Sequence, residues 1–185
     1  MAPNSKERIL RSAANLFRTQ GYHATGLNQV LSEGGAPKGS MYFHFPGGKE
    51  QLGAEAIAMS GTEMEAKFDE VLSQAPTPGD GVARIIEMLG VGMVESGFTA
   101  GCPIATTALD AGGTSEPIRQ ACDDAFVGWQ RQLATHLSAH GTPDADTVST
   151  IVLAAVEGAL LLARTRHDLA PLNAVAAHLR TKLDG

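Results

Sequence analysis

The sequence predicts an all-α protein, because strand signals are nearly absent and apolar residues recur at helical spacing. No segment sustains the alternation of apolar and polar residues that half-buried strands show, and only 5% of the residues are aromatic. With 185 residues, of which 43% are hydrophobic and 18% charged, the chain can bury a core, and wholesale disorder is excluded. We expect about nine helices, divided between an N-terminal three-helix domain (residues 1–48) and a C-terminal helical domain (residues 49–185).

Capping residues and breaks define the predicted helices. Asn4 or Ser5 can cap the first helix, and Gly21 can end it. Pro37 suits the first turn of the third helix, where a missing N–H is not needed, and the sequence Pro46-Gly47-Gly48 separates that helix from a long fourth one. The predicted helices span residues 5–19, 27–33, 37–44, 49–73, 82–96, 104–110, 116–139, 144–167 and 172–183.

Residues 21–49 contain the candidate binding motif. Two short helices that are separated by a glycine-containing turn are typical of a helix-turn-helix, whose second helix enters the major groove of DNA. The third helix is expected to rest on its neighbours through Met41, Phe43 and Phe45. Its polar residues can bind phosphates, donate hydrogen bonds or let the backbone come close to DNA, as can the lysine that opens the next helix; they are Lys38, Gly39, Ser40, Tyr42, His44 and Lys49.

The same stretch allows two other interpretations. A short helix of this composition is also typical of an ordinary solvated surface. A nucleotide-binding loop is suggested by the spacing of Gly34 and Gly39, but Ser40 follows where such a loop needs lysine, and no strand precedes it. We therefore exclude the nucleotide-binding loop.

The charge distribution is uneven along the chain. The whole sequence carries a formal net charge of −6. Residues 1–53 hold six basic and three acidic residues, which gives +3, whereas residues 54–185 hold eight basic and 17 acidic residues, which gives −9. The basic part coincides with the motif, so the acidic total does not exclude a nucleic-acid partner.

The N-terminal segment resembles the TetR (tetracycline-repressor-like) family of bacterial transcriptional regulators. The resemblance rests on an ordered set of motifs over about 45 residues: Gly21-Tyr22, the apolar helix Leu27–Leu31, the run Lys38–Phe45 (KGSMYFHF) and Lys49–Leu52 (KEQL). It implies a homodimer whose N-terminal domains bind the half-sites of a pseudopalindromic operator in double-stranded DNA. It also implies DNA contacts at Thr25, Lys38, Ser40, Tyr42, His44 and Lys49. Gly26 and Pro37 depart from the family pattern, since hydroxyl residues are frequent at both positions.

The C-terminal part resembles the subgroup typified by the lincomycin-resistance repressor, through Gly101–Ile104 (GCPI) and Glu157–Arg164 (EGALLLAR). The family resemblance implies a small-molecule pocket in this domain and dimerisation through the last two helices. Small residues beside leucines in helix 144–167 agree with a close helix contact, although an ordinary core within one chain has the same pattern. Apolar candidates for the pocket, each equally suited to a plain core, are Ile86, Leu89, Met93, Phe98, Ile104, Leu109, Phe126, Trp129, Leu133, Val156 and Leu160.

Other candidate sites in this domain have simpler explanations. Glu157, an acid in an apolar run, is either a ligand anchor or the partner of an arginine. Cys102 is expected to be an unreactive thiol, and the alternative is a redox sensor. His136 and His140 have the helical spacing of a two-histidine metal site, but no third ligand is evident. The segment Asp144–Asp146 is expected to cap the following helix rather than bind a metal, because acids favour helix N-termini.

These observations predict a cytoplasmic transcriptional regulator that is not an enzyme and needs no metal or cofactor. No signal peptide is evident, and the apolar stretch 151–163 is too short to span a bilayer. We expect a repressor that a small lipophilic effector releases from DNA. The alternatives are a transcriptional activator of the same fold, and a small helical enzyme or carrier that uses the C-terminal pocket.

Overall fold

The computed structural model describes residues 4–185, and this part of the chain contains α-helices and no β-strand. The all-α prediction is confirmed. The described residues form nine helices: α1 (Ser5–Gln20), α2 (Leu27–Glu33), α3 (Gly39–His44), α4 (Gly48–Ser73), α5 (Pro78–Glu95), α6 (Pro103–Ala111), α7 (Glu116–Ala139), α8 (Ala145–Arg166) and α9 (Ala170–Asp184).

Capping groups fix the ends of α1. The side-chain oxygen of Asn4 accepts a hydrogen bond from the Glu7 N–H at 2.9 Å, so Asn4, and not Ser5, is the cap. The helix ends at Gly21, which has a φ of 88° and donates its N–H to the Phe17 carbonyl at 3.1 Å. Because a positive φ favours glycine, Gly21 is the residue at which the chain can leave the helix.

Helix α3 is shorter than the sequence suggested. It begins at Gly39 and not at Pro37, so the expected placement of Pro37 in its first turn is wrong. Pro37 belongs instead to the turn that precedes α3, where its carbonyl accepts the Ser40 N–H at 2.9 Å. Residues 34–38 form the connection between α2 and α3, which leaves only six residues for α3.

One compact unit combines the residues up to Thr62 with Cys102–Phe126, so α6 and the first part of α7 pack with the N-terminal helices. Close approach is possible at Gly53 of α4, where an added Cβ would lie 2.9 Å from Tyr22 Cε2 and 3.0 Å from Ile118 Cδ1. The predicted domain boundary after residue 48 follows the sequence motif and does not anticipate this grouping. The buried side chains of this unit include Ile9, Phe17, Val30, Met41, Phe45, Leu52, Ile57, Ile104 and Ile118.

The other compact unit consists of Glu63–Gly101 and Val127–Gly185. Here α5, α8 and α9 pack on one another. Thr77 caps α5 by accepting the Asp80 N–H at 3.1 Å, and Pro78 occupies the first helical position. Near the end of α9, Asp184 accepts hydrogen bonds from the Gly79 N–H at 2.7 Å and the Thr77 hydroxyl at 2.9 Å, which joins the end of α9 to the start of α5.

Helix α8 is apolar on faces that one chain does not cover. Ile151, Leu161 and Leu162 are exposed, with Leu161 62% exposed. The helix has 22 residues, and by length and composition alone it could cross a membrane, as core helices of soluble proteins also could. The apolar stretch 151–163 is only a part of this 22-residue helix, and the expectation about that stretch stays a prediction. The side chain of Asp144 makes no capping hydrogen bond, and this residue adopts a left-handed conformation with φ 49°, so the expected cap is wrong at Asp144. Asp146, the other acid of the predicted cap, lies in the first turn of α8.

Candidate DNA-binding site

Helices α2 and α3 form the predicted helix-turn-helix, and the turn between them has a specific hydrogen-bond pattern. The Gly34 N–H donates to the Val30 carbonyl at 2.9 Å, and the Ala36 N–H donates to the Leu31 carbonyl at 2.9 Å. Between them, Gly35 has a φ of 59°, which favours glycine. These bonds satisfy the last carbonyls of α2 and turn the chain towards α3.

Arg8 of α1 binds the same turn from the side. Its Nε donates to the Gly34 carbonyl at 3.1 Å, and its Nη2 lies 3.5 Å from the Gly35 carbonyl. Gly34 is buried at this contact. A Cβ added at Gly34 would lie 3.2 Å from the backbone carbonyl oxygen of Arg8, which is a tight contact. Nothing local in the sequence indicates that Arg8 contacts residues 26 positions away.

Helix α3 has one buried and one exposed face. Met41 and Phe45, one helical turn apart, are buried, whereas Tyr42 is 78% exposed and Phe43 80% exposed. The expectation that Phe43 holds the helix on its neighbours is wrong, because two residues correspond to about 200° of rotation and place Phe43 opposite Met41 and Phe45. The helical period of three to four residues was the signal that could have identified Phe43 as an exposed aromatic on the motif's second helix.

The other predicted DNA-binding residues differ in what their side chains contact. Lys38 and Gly39 are exposed and Ser40 is half-buried. The His44 Nε2 lies 2.7 Å from the Ser5 Oγ, so this imidazole joins α3 to α1. Thr25 is 1% exposed, and its hydroxyl donates to the Gly21 carbonyl at 2.6 Å. Within one chain, Thr25 therefore stabilises the turn after α1 rather than presenting its hydroxyl to solvent.

Lys49, in the first turn of α4, is half-buried beside the turn between α1 and α2. Its Nζ lies 4.5 Å above the centroid of the Tyr22 ring and 3.4 Å from the His23 carbonyl oxygen. Burial lowers the pKa of the ammonium group, and the carboxylate of Asp110 acts in the opposite direction. Burial also raises the pKa of Tyr22, and the charge of Glu50 adds to this effect.

The residues predicted to line a ligand pocket are divided between the two compact units. Ile86, Leu89, Met93, Phe98, Trp129, Leu133, Val156 and Leu160 belong to the unit that contains α5, α8 and α9, and all are buried or half-buried. Ile104 and Phe126 belong to the unit that contains α1 to α3. Leu109 lies there too, but its side chain is 86% exposed, because α6 turns the opposite face, with Ile104, Thr107 and Ala111, inward.

Trp129, one of the predicted pocket residues, packs edge-on against Phe68 with ring centroids 5.6 Å apart. A groove of about 420 Å³ lies between α4 and α7 in the same unit, but its lining shares no residue with the predicted pocket. The groove is lined by Glu65, Asp69, Leu72, Ser73, Gly128, Arg131, Gln132, Thr135, His136 and Ala139.

Within residues 4–185, no group of three or more metal-ligating side chains is present. The imidazole rings of His136 and His140 lie with their centroids 4.5 Å apart at an interplanar angle of 52°, and burial and the neighbouring imidazole lower the pKa of His136. Cys102 caps α6, with its Sγ 3.5 Å from the Ala105 N–H. Burial raises the pKa of the Cys122 thiol to about 11, which disfavours the reactive thiolate.

Comparisons with known proteins agree with this geometry. The family model for the N-terminal domain of bacterial regulatory proteins of the tetR family matches residues 9–56, and the model for the LmrA/YxaF-like transcriptional-regulator C-terminal domain matches residues 78–178. The chain is 37% identical over 171 residues to the HTH-type transcriptional regulator LmrA of Bacillus subtilis, covering 91% of each chain. It is 34% identical over 178 residues to the uncharacterised HTH-type regulator YxaF of the same organism, covering 95% of this chain and 93% of YxaF.

Solved structures show the same fold. A TetR transcriptional regulator from Legionella pneumophila superposes with a TM-score of 0.87 at 23% identity, covering 99% of this chain and 100% of that one. The reduced form of NemR from E. coli superposes with a TM-score of 0.85 at 21% identity, covering 96% of each chain.

The two-helix motif and its exposed second helix, together with these matches, define a helix-turn-helix transcriptional regulator, a class of DNA-binding proteins rather than enzymes. More specifically, the chain belongs to the TetR family, with an LmrA/YxaF-like C-terminal domain. Regulators of this family bind operator DNA and act as dimers.

Proposed function

We propose that this TetR-family regulator is a cytoplasmic repressor that binds a pseudopalindromic operator as a homodimer and leaves it when a small lipophilic effector binds. The DNA-binding part of this proposal is supported by helix α3, which has one buried and one exposed face. Met41 and Phe45 hold this helix on the protein, while Tyr42 and Phe43 are exposed to solvent. Two adjacent exposed aromatic side chains on a six-residue helix offer apolar area that a partner can cover.

The DNA contacts fall into two groups. Lys38, Ser40 and Lys49 supply donors for phosphate oxygens, and Gly39 lets the backbone come close to the duplex. Tyr42 and Phe43 face the groove, where the Phe43 ring is suited to apolar contact with thymine methyl groups. Thr25 and His44 act indirectly, since the hydrogen bonds of their side chains hold the turn after α1 and the α3–α1 contact.

The dimer interface is proposed on α8 and α9. Along α8, Ile151, Ala154, Gly158, Leu161 and Leu162 are exposed, and their spacing of three to four residues places them on one stripe. Small residues at 154 and 158 permit a second helix to come close, and the flanking leucines and isoleucine supply apolar area. A second copy of the chain, related by a twofold axis, would cover the same stripe on both subunits.

The effector site is proposed among the buried apolar residues of the unit that contains α5, α8 and α9. Ile86, Leu89, Met93, Phe98, Trp129, Leu133, Val156 and Leu160 would surround it, and such a lining favours a lipophilic molecule. For the effector to release DNA, it must bind the non-binding conformation more tightly than the DNA-bound one. Helix α4 runs continuously from this unit to Lys49, so a displacement of α4 can reach a DNA-contacting residue.

The test uses the operator that is recovered by sequencing the DNA fragments that the purified protein retains. Lys38→Ala and Tyr42→Ala should each weaken operator binding about tenfold or more, while the dimer persists in sedimentation analysis. Lys67→Ala, which removes the same charge from an exposed position of α4 in the other compact unit, is the matched control. Normal operator binding by both α3 variants would refute the proposed binding mode.

A further inference from the structure

Asp110, near the end of α6, contacts the turn that joins α1 to α2. Its Oδ2 accepts a hydrogen bond from the His23 N–H at 2.8 Å, between residues 87 positions apart in sequence. The turn is shaped for this contact, since a Cβ at Gly21 would lie only 3.1 Å from the same carboxylate oxygen. Both residues belong to the compact unit that contains the helix-turn-helix.

The backbone of His23 is also bound on its other side. Its carbonyl oxygen lies 3.4 Å from the Nζ of Lys49, which stands above the Tyr22 ring. One residue of the turn therefore joins the carboxylate of Asp110 to the ammonium of Lys49. Because an ammonium has three N–H groups, the bond to His23 leaves donors that can contact a phosphate.

A second and separate contact fixes the same part of α4. The Ser115 hydroxyl donates to Glu50 Oε1 at 2.6 Å, and the Ile118 side chain packs at Gly53. The start of α4 therefore remains joined to the segment 103–126 when Asp110 is altered. Asp110 itself is exposed, so its replacement leaves no buried cavity.

We propose that Asp110 is a positioning residue for DNA binding, which fixes the backbone of His23 and thereby holds the Lys49 ammonium where it contacts a DNA phosphate. The inference rests on the proposed function, in which Lys49 binds phosphate. It assigns to α6, a helix outside the helix-turn-helix, a direct part in the geometry of the DNA contact. The acceptor oxygen is the property that the proposal requires, and Asp110→Asn separates it from the negative charge, which also acts on Lys49.

The experiment measures operator affinity over a series of salt concentrations for Asp110→Ala, Asp110→Asn, Lys49→Ala and the double variant Asp110→Ala/Lys49→Ala. The logarithm of the operator association constant falls linearly with the logarithm of the salt concentration. Loss of a phosphate contact makes this slope less steep by about 0.9 per contact, and the loss of one contact per subunit weakens binding about tenfold. Asp110→Ala should approach the slope of Lys49→Ala. The double variant should bind within about twofold of Lys49→Ala, because both changes remove the same contact.

The conservative variant separates position from charge. The Oδ1 of asparagine can accept the His23 N–H, so Asp110→Asn should keep the salt slope and bind the operator at least as tightly as the unaltered protein. Asp124→Ala, at an exposed acidic position of α7 in the same compact unit, removes one negative charge and controls for net charge. It should leave the slope unchanged.

Each other result overturns the inference in a recognisable way. A normal slope for Asp110→Ala, an additive double variant, or an Asp110→Asn variant as weak as Asp110→Ala would show that the acceptor does not position Lys49. A melting temperature of Asp110→Ala well below that of Asp110→Asn, with an unchanged slope, would assign Asp110 a structural role only. A normal slope for Lys49→Ala would instead refute the phosphate contact in the proposed function itself, and this inference with it.

Discussion

Phe43 and Phe45 are two positions apart on α3, and replacing each of them with alanine should have different consequences. Phe45 is 0% exposed, so its truncation removes a fully buried ring and should cost about 3–5 kcal/mol of unfolding free energy. Phe43 is 80% exposed, so its truncation should change the unfolding free energy by no more than about 0.5 kcal/mol.

The effects on DNA binding should not follow the effects on stability. If the Phe43 ring contacts bases, Phe43→Ala should lose about 1–2 kcal/mol of operator binding, which is roughly 5- to 30-fold in Kd. Phe45→Ala should also bind weakly, but because α3 is no longer held in place. The two losses therefore have separate origins.

The assay combines urea unfolding at one fixed protomer concentration with operator titration by fluorescence anisotropy. Fixed concentration matters because the stability of a dimer depends on it. Equal destabilisation by the two variants would refute the assignment of faces on α3. A stable Phe43→Ala variant with normal operator affinity would refute the proposal that this ring faces DNA.

Three further predictions concern other parts of the chain. Leu161→Glu should convert the dimer to monomers in sedimentation equilibrium, whereas Val91→Glu, at an exposed apolar position of α5, should leave the dimer intact. If the Leu161→Glu variant remains dimeric, the interface lies elsewhere. Gly35→Ala should cost about 1–2 kcal/mol because φ is 59°, and should weaken operator binding. Gly97, in the other compact unit, has the same φ and equally open surroundings, so Gly97→Ala should lower the unfolding free energy by a similar amount and leave operator affinity unchanged. Equal losses of operator affinity in the two variants would contradict the role of the α2–α3 turn. Because the pKa of His136 is lowered, the folded state binds this proton less readily than the unfolded state, and the unfolding free energy should fall as the pH drops below about 6.5. His136→Gln should reduce this pH dependence. An unchanged dependence of the unfolding free energy on pH would exclude His136 as its source.

Capping and breaking residues predicted some helix limits and missed others. The start of α5 was placed four residues too late, at residue 82, although Thr77 caps this helix and Pro78 occupies its first position. The predicted ranges of α2 and α7 agree with the structure, and α1 differs by one residue at its end. The start of α3 was placed two residues too early, because Pro37 suits a first helical turn as well as a connecting turn. Only the hydrogen bonds of residues 34–38 decide how many residues the connection needs.

The parts of the site that depend on distant contacts could not be predicted. Arg8 binds the turn between α2 and α3, and Asp110 binds the turn between α1 and α2, across 26 and 87 positions of sequence. No periodicity or motif encodes such pairs. The burial of Thr25 is a related case, since a threonine shortly before a helix resembles a phosphate-binding hydroxyl until its bond to the Gly21 carbonyl is known.

The exposure of Phe43, by contrast, was available from the sequence. Given that Met41 and Phe45 are one turn apart and apolar, a helix places residue 43 on the opposite side. Leu109 illustrates the same rule on α6, where Ile104, Thr107 and Ala111 define the buried face and Leu109 lies away from it. Apolar character alone was not sufficient to assign either residue to a core or a pocket.

Hydroxyl-radical footprinting of the retained operator tests most directly whether α3 of a dimer recognises the operator. A dimer that presents two α3 helices should protect two half-sites on one face of the duplex, whose centres lie one helical turn of about 34–36 Å, or a multiple of it, apart. Both protections should disappear together in the Lys38→Ala/Tyr42→Ala variant, which should remain dimeric. A single protected site, or protection that persists in this variant, would contradict the claim that α3 of a dimer recognises the operator.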